Sequence, residues 1–325
     1  MKKFLLYSLL ISASVLSAAS KKDIYTSGWW TGPLFASHAK TTPRGKINIE
    51  PYLGYFATQG NYNNSWGLDP ASHFFSVSPS IFVSLGITDT LECAIEIPWL
   101  FNRFRNKSAN GLSDVSFQGA YQFLQDDHGG PTFDTLFFIR EYFPTGRYSN
   151  LNPLLQGADL TGYGMFTTLF GFNLQKVFLL SNCRLLRLRL NAAYELPAVA
   201  HVKGLNAYGG GFGTKGKVWA DSTLFLTIAH EIQFTQNWVF ACDYMYQHGG
   251  QGKFSGDPGS TSGRSSPFAF LPDNGYPAWD SFSVAPAMEY NFSANVGMIA
   301  GIWVSVAGRN NSAFISPIIA LNATF

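Results

Sequence analysis

The sequence predicts an all-β protein, a transmembrane up-and-down antiparallel β-barrel of about 12 strands. Three observations point there. Apolar and polar residues alternate with period two along most of the chain. The connections between alternating runs take turns at being short and long. Aromatic residues make up 16% of the chain and charged residues only 13%, about half the charged share of an ordinary soluble domain. That composition suits a protein meeting lipid through alternate residues. Apolar residues at 46% exclude a disordered chain, and three cysteines exclude a disulfide-stapled scaffold. A formal charge of +2 without a basic run argues against a nucleic-acid partner. Beyond the first 20 residues no stretch of 18 or more apolar residues occurs, so helical membrane spans are excluded.

The first element is an export signal. Lys2 and Lys3 form a basic start, and 4–16 form an apolar stretch too short to span a bilayer. Ser17 and Ala19 are the small residues a signal peptidase reads, which places cleavage after Ala19 and the signal peptide at 1–19. A short membrane anchor fits the apolar length less well. Cleavage removes two lysines and no acids, leaving a formally neutral mature chain. Residues 20–44 come next, with Trp29, Trp30, Pro33 and Pro43 and no alternation. This segment is too apolar to stay simply solvated. It is expected to lie on the periplasmic side and fold into the mouth of the lumen as a possible plug, the rival being a loose tail.

The barrel itself is expected at 45–325. Its strands fall at about 45–56, 73–86, 91–99, 112–124, 132–143, 163–177, 185–196, 219–234, 238–248, 281–292, 295–306 and 314–325. In the second, Phe75, Val77, Ile81, Val83 and Leu85 alternate with serines 76, 78, 80 and 84. In the third, Leu91, Cys93, Ile95, Ile97 and Trp99 alternate with Glu92, Ala94 and Glu96. The seventh sets Leu186, Leu188 and Leu190 against Arg187, Arg189 and Asn191. The fifth leaves open whether Arg140 or Glu141 points inward, since Phe137, Ile139 and Phe143 compete with Leu136, Phe138 and Tyr142 for the apolar face. Pro51, Pro79, Pro286 and Pro317 lie inside strands of a barrel without edges, so each removes a ladder hydrogen bond or marks a bulge, and bulges are expected at Pro79, Pro286 and Pro317.

Connections at 87–90, 235–237 and 293–294 are tight, whereas 57–72, 100–111, 144–162, 197–218 and 249–280 are long. Long loops belong outside and short turns in the periplasm. Aromatic residues collect at both levels. Tyr55, Trp99, Phe143, Tyr194, Trp219, Tyr246, Trp279 and Phe282 stand at the long-loop ends, and Phe123, Phe178, Phe234, Trp238, Phe292 and Phe325 at the short-turn ends. A soluble barrel would need many more charges outside. The terminal strand, ending in Phe325, fits the signal by which the barrel assembly machinery recognises its clients. The expected location is therefore the outer membrane of a Gram-negative cell, with outer-membrane lipid as a partner.

The segment NGLSDVSFQGAYQF (110–123), followed by a strand ending in FPTG (143–146), resembles the meta-pathway phenol-degradation family of outer-membrane transporter-like barrels. SPSIFVSLGITDTLECAIEIP (78–98) resembles the same family's descending strand, tight turn and ascending strand. The resemblance implies a transport role, linked to aromatic or other hydrophobic compounds.

With apolar residues outward, the lumen receives the opposite parity. The candidates for its lining are Glu92, Glu96, Arg187, Arg189, Glu195, Glu231, Asp243 and Glu289. They form either a charged constriction that filters solutes or an ion-pair network that merely satisfies a polar interior. Twelve strands predict a narrow or plugged lumen. Neither His-Ser-Asn, Gly-x-Ser-x-Gly nor a metal-spaced pair occurs among the six histidines, so no enzyme, cofactor or metal site is expected. Cys93 and Cys242 fall on apolar faces and read as small apolar residues; with Cys183 the odd count leaves at least one free. The glycine-rich 207–217 reads as a flexible surface loop. The expected function is passive uptake of a small hydrophobic or aromatic solute. The rival is a surface adhesin or receptor acting through the long loops.

Overall fold

The computed structural model describes residues 21–128, 130–180, 184–260 and 277–325. The proposed signal peptide and Cys183 lie outside the described residues. In chain order the strands are β1 (Ile47–Tyr62), β2 (Leu68–Asp69), β3 (Phe74–Gly86), β4 (Leu91–Phe104), β5 (Lys107–Leu112), β6 (Val115–Leu124), β7 (Asp134–Phe143), β8 (Thr167–Leu179), β9 (Leu185–Pro197), β10 (Val199–Lys203), β11 (Lys215–Trp219), β12 (Thr223–Gln233), β13 (Trp238–Gly249), β14 (Lys253–Asp257), β15 (Trp279–Asn291), β16 (Val296–Arg309) and β17 (Asn311–Thr324). One helical turn, Lys21–Thr26, precedes them.

Twelve antiparallel walls close into a barrel. β17 returns to β1, from Asn48 opposite Thr324 to Tyr62 opposite Asn311. β5 and β6 share one wall: β5 pairs the far half of β4 and β6 its near half, with the ladder interrupted at Ser113 and Asp114. Closure joins the first and last walls, and alternate residues face out. On β4, Leu91, Ile95, Ile97, Trp99 and Phe101 are exposed, while Glu92, Ala94 and Asn102 are buried. The short turns are tied by backbone bonds, Ile87 N–H to Leu91 C=O (2.8 Å) and Phe292 N–H to Val296 C=O (2.9 Å).

The parity of β7 is settled by its neighbours. Arg140 points inward and donates to Gln118 Oε1 (2.8 and 3.0 Å). Glu141 takes the other face, where it accepts from Thr168 Oγ1 (2.6 Å). Cys93 and Cys242 are free thiols, half-buried and buried.

Two expectations need correction. The prolines make no bulges. Pairing on either side of Pro51, Pro79, Pro286 and Pro317 keeps its register, and each proline leaves a two-residue gap toward one neighbouring strand only. A residue in an antiparallel ladder points its N–H toward one neighbour, so a missing donor there costs one bond and no offset. Bulges occur instead at Thr58/Gly60, Gln122/Leu124 and Phe282/Ser283. The second correction concerns 197–218 and 249–257. They are not simply loops: β10, β11 and β14 form a separate three-stranded sheet. Positive φ at Gly209 (106°), Gly210 (81°) and Gly213 (81°) lets the chain reverse between β10 and β11. Five-residue strands offer too little alternation to be seen beside such a turn.

The long-loop mouth is covered from within. Ala158, on the connection between β7 and β8, packs with Phe74 and Phe104, and Asn102 Nδ2 donates to Leu160 C=O (2.6 Å).

Candidate functional site: the barrel lumen

Residues 27–44 run through the short-turn half of the lumen, held by side chains from the strands around them. The fixed points begin at the rim, where Gln236 Nε2 donates to Ser27 C=O (2.8 Å). Thr31 N–H then donates to Glu289 Oε2 (2.8 Å) and Thr31 Oγ1 to Asn291 Oδ1 (3.0 Å). Asp243 takes two backbone donors, Leu34 N–H (3.1 Å) and Ala36 N–H (2.8 Å). Arg189 Nη1 donates to Ala36 C=O (2.6 Å), Asn191 Nδ2 to Ser37 C=O (3.2 Å) and Asn173 Nδ2 to His38 C=O (3.0 Å). Across the barrel, Thr42 N–H donates to Glu92 Oε2 (2.6 Å), and Thr42 and Ser84 share a hydroxyl bond of 2.7 Å. Lys40 Nζ lies 3.5 Å from Asp134. Without alternation the segment has no ladder of its own, so its backbone groups take partners from the wall.

Close packing accompanies these bonds. A Cβ on Gly86 would collide with the carbonyl oxygens of Thr42 and Pro43, and one on Gly297 with Thr31 Oγ1. Only glycine lets the segment approach those strands so nearly.

Five of the eight candidate lumen residues form one cluster. Glu231, fully buried, accepts from Arg187 Nε (2.6 Å) and from Arg189 Nε (3.1 Å), and its other oxygen meets Arg187 Nη2. The Arg187 guanidinium lies 4.5 Å from the Trp30 ring centroid. Asp243 and Glu289 are also wholly buried, and Glu289 Oε1 has no partner among the described residues. Register explains the meeting: Arg187 on β9 stands opposite Glu231 on β12, and Ala241, opposite Glu231 on β13, stands opposite Ala287 on β15, two residues from Glu289. The other three candidates stand apart. Glu92 holds Thr42, Glu96 lies 3.4 Å from Arg140 Nη1, and Glu195 stands opposite Thr223 near the long-loop end.

Between segment and wall lies a cavity of about 400 Å³. Phe35 of the segment faces Trp303 at 4.7 Å between ring centroids, and Tyr52, Phe56, Phe82 and Ile318 extend the apolar lining. The polar lining is largely paired within itself. Glu50 accepts from Tyr52 Oη (2.7 Å), Asn48 Nδ2 (2.6 Å) and Asn322 Nδ2 (2.8 Å), and Arg140 joins Gln118 to Glu96. Trp303 Nε1 differs: it is buried and lacks a partner among the described residues. Sequence reasoning leaves Arg140 open and passes over Tyr52 and Trp303. Trp303 carries no signal, since an aromatic residue in a strand reads as a lipid contact. No three His, Cys, Asp or Glu side chains among the described residues are placed to hold a metal ion.

No family model matches the chain, and no curated protein matches its sequence. Among solved structures, the COG4313 outer membrane channel from Pseudomonas putida F1 superposes with a TM-score of 0.65 at 11% identity, over 91% of this chain and 100% of that one. The fold is that of an outer-membrane β-barrel. The β domain of the Bordetella autotransporter BrkA (TM-score 0.46, 11% identity, 87% of this chain and 100% of that one) and the NanC porin (0.43, 10%, 85% and 98%) are similarities too loose to say more.

Proposed function

We propose that this protein is an outer-membrane channel for passive uptake of a small hydrophobic or aromatic solute, with residues 28–44 as a plug that must shift for passage. The observation carrying this reading is the cavity itself. It lies inside the barrel and is lined by rings, among them Trp303, whose buried Nε1 has no partner among the described residues. About 400 Å³ is the lower end of small-ligand sites and too small for a large polar solute. An aromatic molecule bearing one acceptor oxygen, reaching that donor as Phe35 moves aside with the plug, fits both features. The charged cluster then holds the plug: Asp243, Glu289 and Arg189 each bind its backbone and Glu231 fixes both arginines, while Glu92 holds it from across the barrel. Passive passage needs no energy source, and the likeness in fold to the Pseudomonas outer membrane channel supports the class of function.

The test is passage of candidate aromatics into liposomes carrying the purified barrel, with single-channel conductance measured on the same protein and on a variant lacking residues 28–42. Passage above that into empty liposomes, and a severalfold larger conductance after deletion, are expected. Passage equal to that into empty liposomes for every solute, with cell or phage binding retained through the long loops, would replace this reading by a surface receptor.

A further inference from the structure

The three-stranded sheet β10–β11–β14 has one face turned inward and one turned out. Ala200, Val202 and Val218 are buried against Met165, with Tyr148, Tyr208 and Phe254 packed around them. The other face carries the opposite residues in register. Lys203, Lys215 and Asp257 form one row, His201, Lys217 and Ser255 the next, and Val199, Trp219 and Lys253 the third. All four lysines are exposed. In a chain with 22 Lys and Arg over 325 residues, four on one small face opposed by a single aspartate is a marked concentration of charge. Among the described residues, none of the four is in an ion pair. Lys203 stands directly opposite Lys215, an arrangement that is unfavourable unless an anion lies between.

The height of this face tells which anion. β10 follows β9 after one residue, and β11 leads into β12, so the sheet continues the barrel wall beyond the long-loop end. Trp219 is exposed on the lysine face, level with Val199 and so five residues past Tyr194, whose exposed ring belongs to the aromatic girdle at the edge of the hydrocarbon. Lys217 is two residues beyond Trp219 and Lys215 four, roughly 7 and 13 Å along an extended strand. Lys253 pairs with Trp219 itself. The ammonium groups therefore sit outside the apolar band on its outer side, at the level of the phosphorylated sugars that cover the outer leaflet.

We propose that this face is a docking surface for the phosphorylated glycolipid of the outer leaflet, lipopolysaccharide, whose phosphates pair with Lys203, Lys215, Lys217 and Lys253. The inference rests on the outer-membrane orientation and is independent of the solute. Glycolipid bound there braces the sheet from outside while the 144–166 connection braces it from within.

The experiment uses the full-length protein in detergent, a labelled lipopolysaccharide, the same lipopolysaccharide stripped of phosphate, and heparin as a soluble polyanion. The variants are K203Q/K215Q/K217Q/K253Q and, as a control on the short-turn side, K46Q. Heat-dependent gel mobility establishes that each barrel is folded. The unaltered protein and K46Q are expected to bind intact lipopolysaccharide with an affinity that falls as salt rises, and the fourfold variant to bind about tenfold less tightly or worse. Removing phosphate should weaken binding to the unaltered protein equally. Equal binding by the fourfold variant, no preference for the phosphorylated form, or heparin held as tightly as lipopolysaccharide would each overturn the proposal. Solute passage into liposomes free of lipopolysaccharide reads the channel separately, and the fourfold variant should leave it unchanged.

Discussion

The two walls of the lumen are made of the same kind of strand and hold their charges differently. On the wall of β9, β12, β13 and β15, the buried Arg189, Asp243 and Glu289 find partners in the backbone of residues 31–36. On the facing wall of β1, β3, β4, β6 and β7, Glu92 and Ser84 hold Thr42 near the turns, but Glu50, Glu96, Gln118 and Arg140 are paired with wall side chains. Bonds to the segment's backbone fix it in the lumen; bonds among wall side chains leave a cavity open in front of it. What divides the two is the source of each partner, because an unpaired buried polar group is costly wherever it lies. Every carboxylate bonded to the segment therefore opposes its departure.

That contrast is broken most severely at Glu231. E231Q leaves Arg187 and Arg189 facing one neutral amide in a fully buried place, and a loss of about 3–5 kcal/mol is expected. E96Q, on the other wall, removes a pair in which Glu96 is 30% exposed, and about 1 kcal/mol or less is expected. Urea unfolding followed by gel mobility measures both. Equal losses would show that the walls do not differ.

A smaller effect sharpens the comparison within the charged wall. Asp243 accepts two backbone bonds from the segment, whereas Glu289 accepts one and leaves Oε1 without a partner among the described residues. D243N should therefore loosen the segment more than E289Q, by about 1.5–3 kcal/mol against half that or less. Protease cleavage after Lys40 or Arg44 in the folded barrel reads this directly. Faster cleavage in E289Q than in D243N would reverse the ranking of the two anchors.

The barrel is legible because its signal is repeated. Twelve runs of alternation outvote any single ambiguous strand, so the uncertain parity of β7 does not disturb the strand count. Arg140 itself cannot be placed from β7 alone, since apolar residues occupy both of that strand's faces; Gln118 on the neighbouring strand decides it. The lumen charges are legible one by one through their parity. Their gathering is not, because it depends on which residues of 31–42 present an N–H or a C=O, and backbone groups leave no mark in a sequence. The prolines mislead for a related reason. A sequence shows the donor they lack, and only the register shows that each strand has a neighbour to which that donor is not owed.

The smallest expected effect lies at Trp303, on β16 between the two walls. Its ring packs against Phe35 at 4.7 Å and Phe314 at 4.3 Å, so a phenylalanine keeps much of the apolar contact. What W303F removes is the buried Nε1 donor that no group among the described residues uses. The barrel should lose little stability, since no internal hydrogen bond is broken. A solute that accepts a hydrogen bond should lose about 1 kcal/mol of binding, a severalfold weaker affinity. A pure hydrocarbon of the same size should lose almost nothing. Passage of a phenol and of the matching methyl-substituted benzene into liposomes, compared between the unaltered barrel and W303F, gives the ratio. A ratio unchanged by the substitution would mean that the solute does not meet Trp303, and that passage follows the wall of β9, β12, β13 and β15 as the plug withdraws.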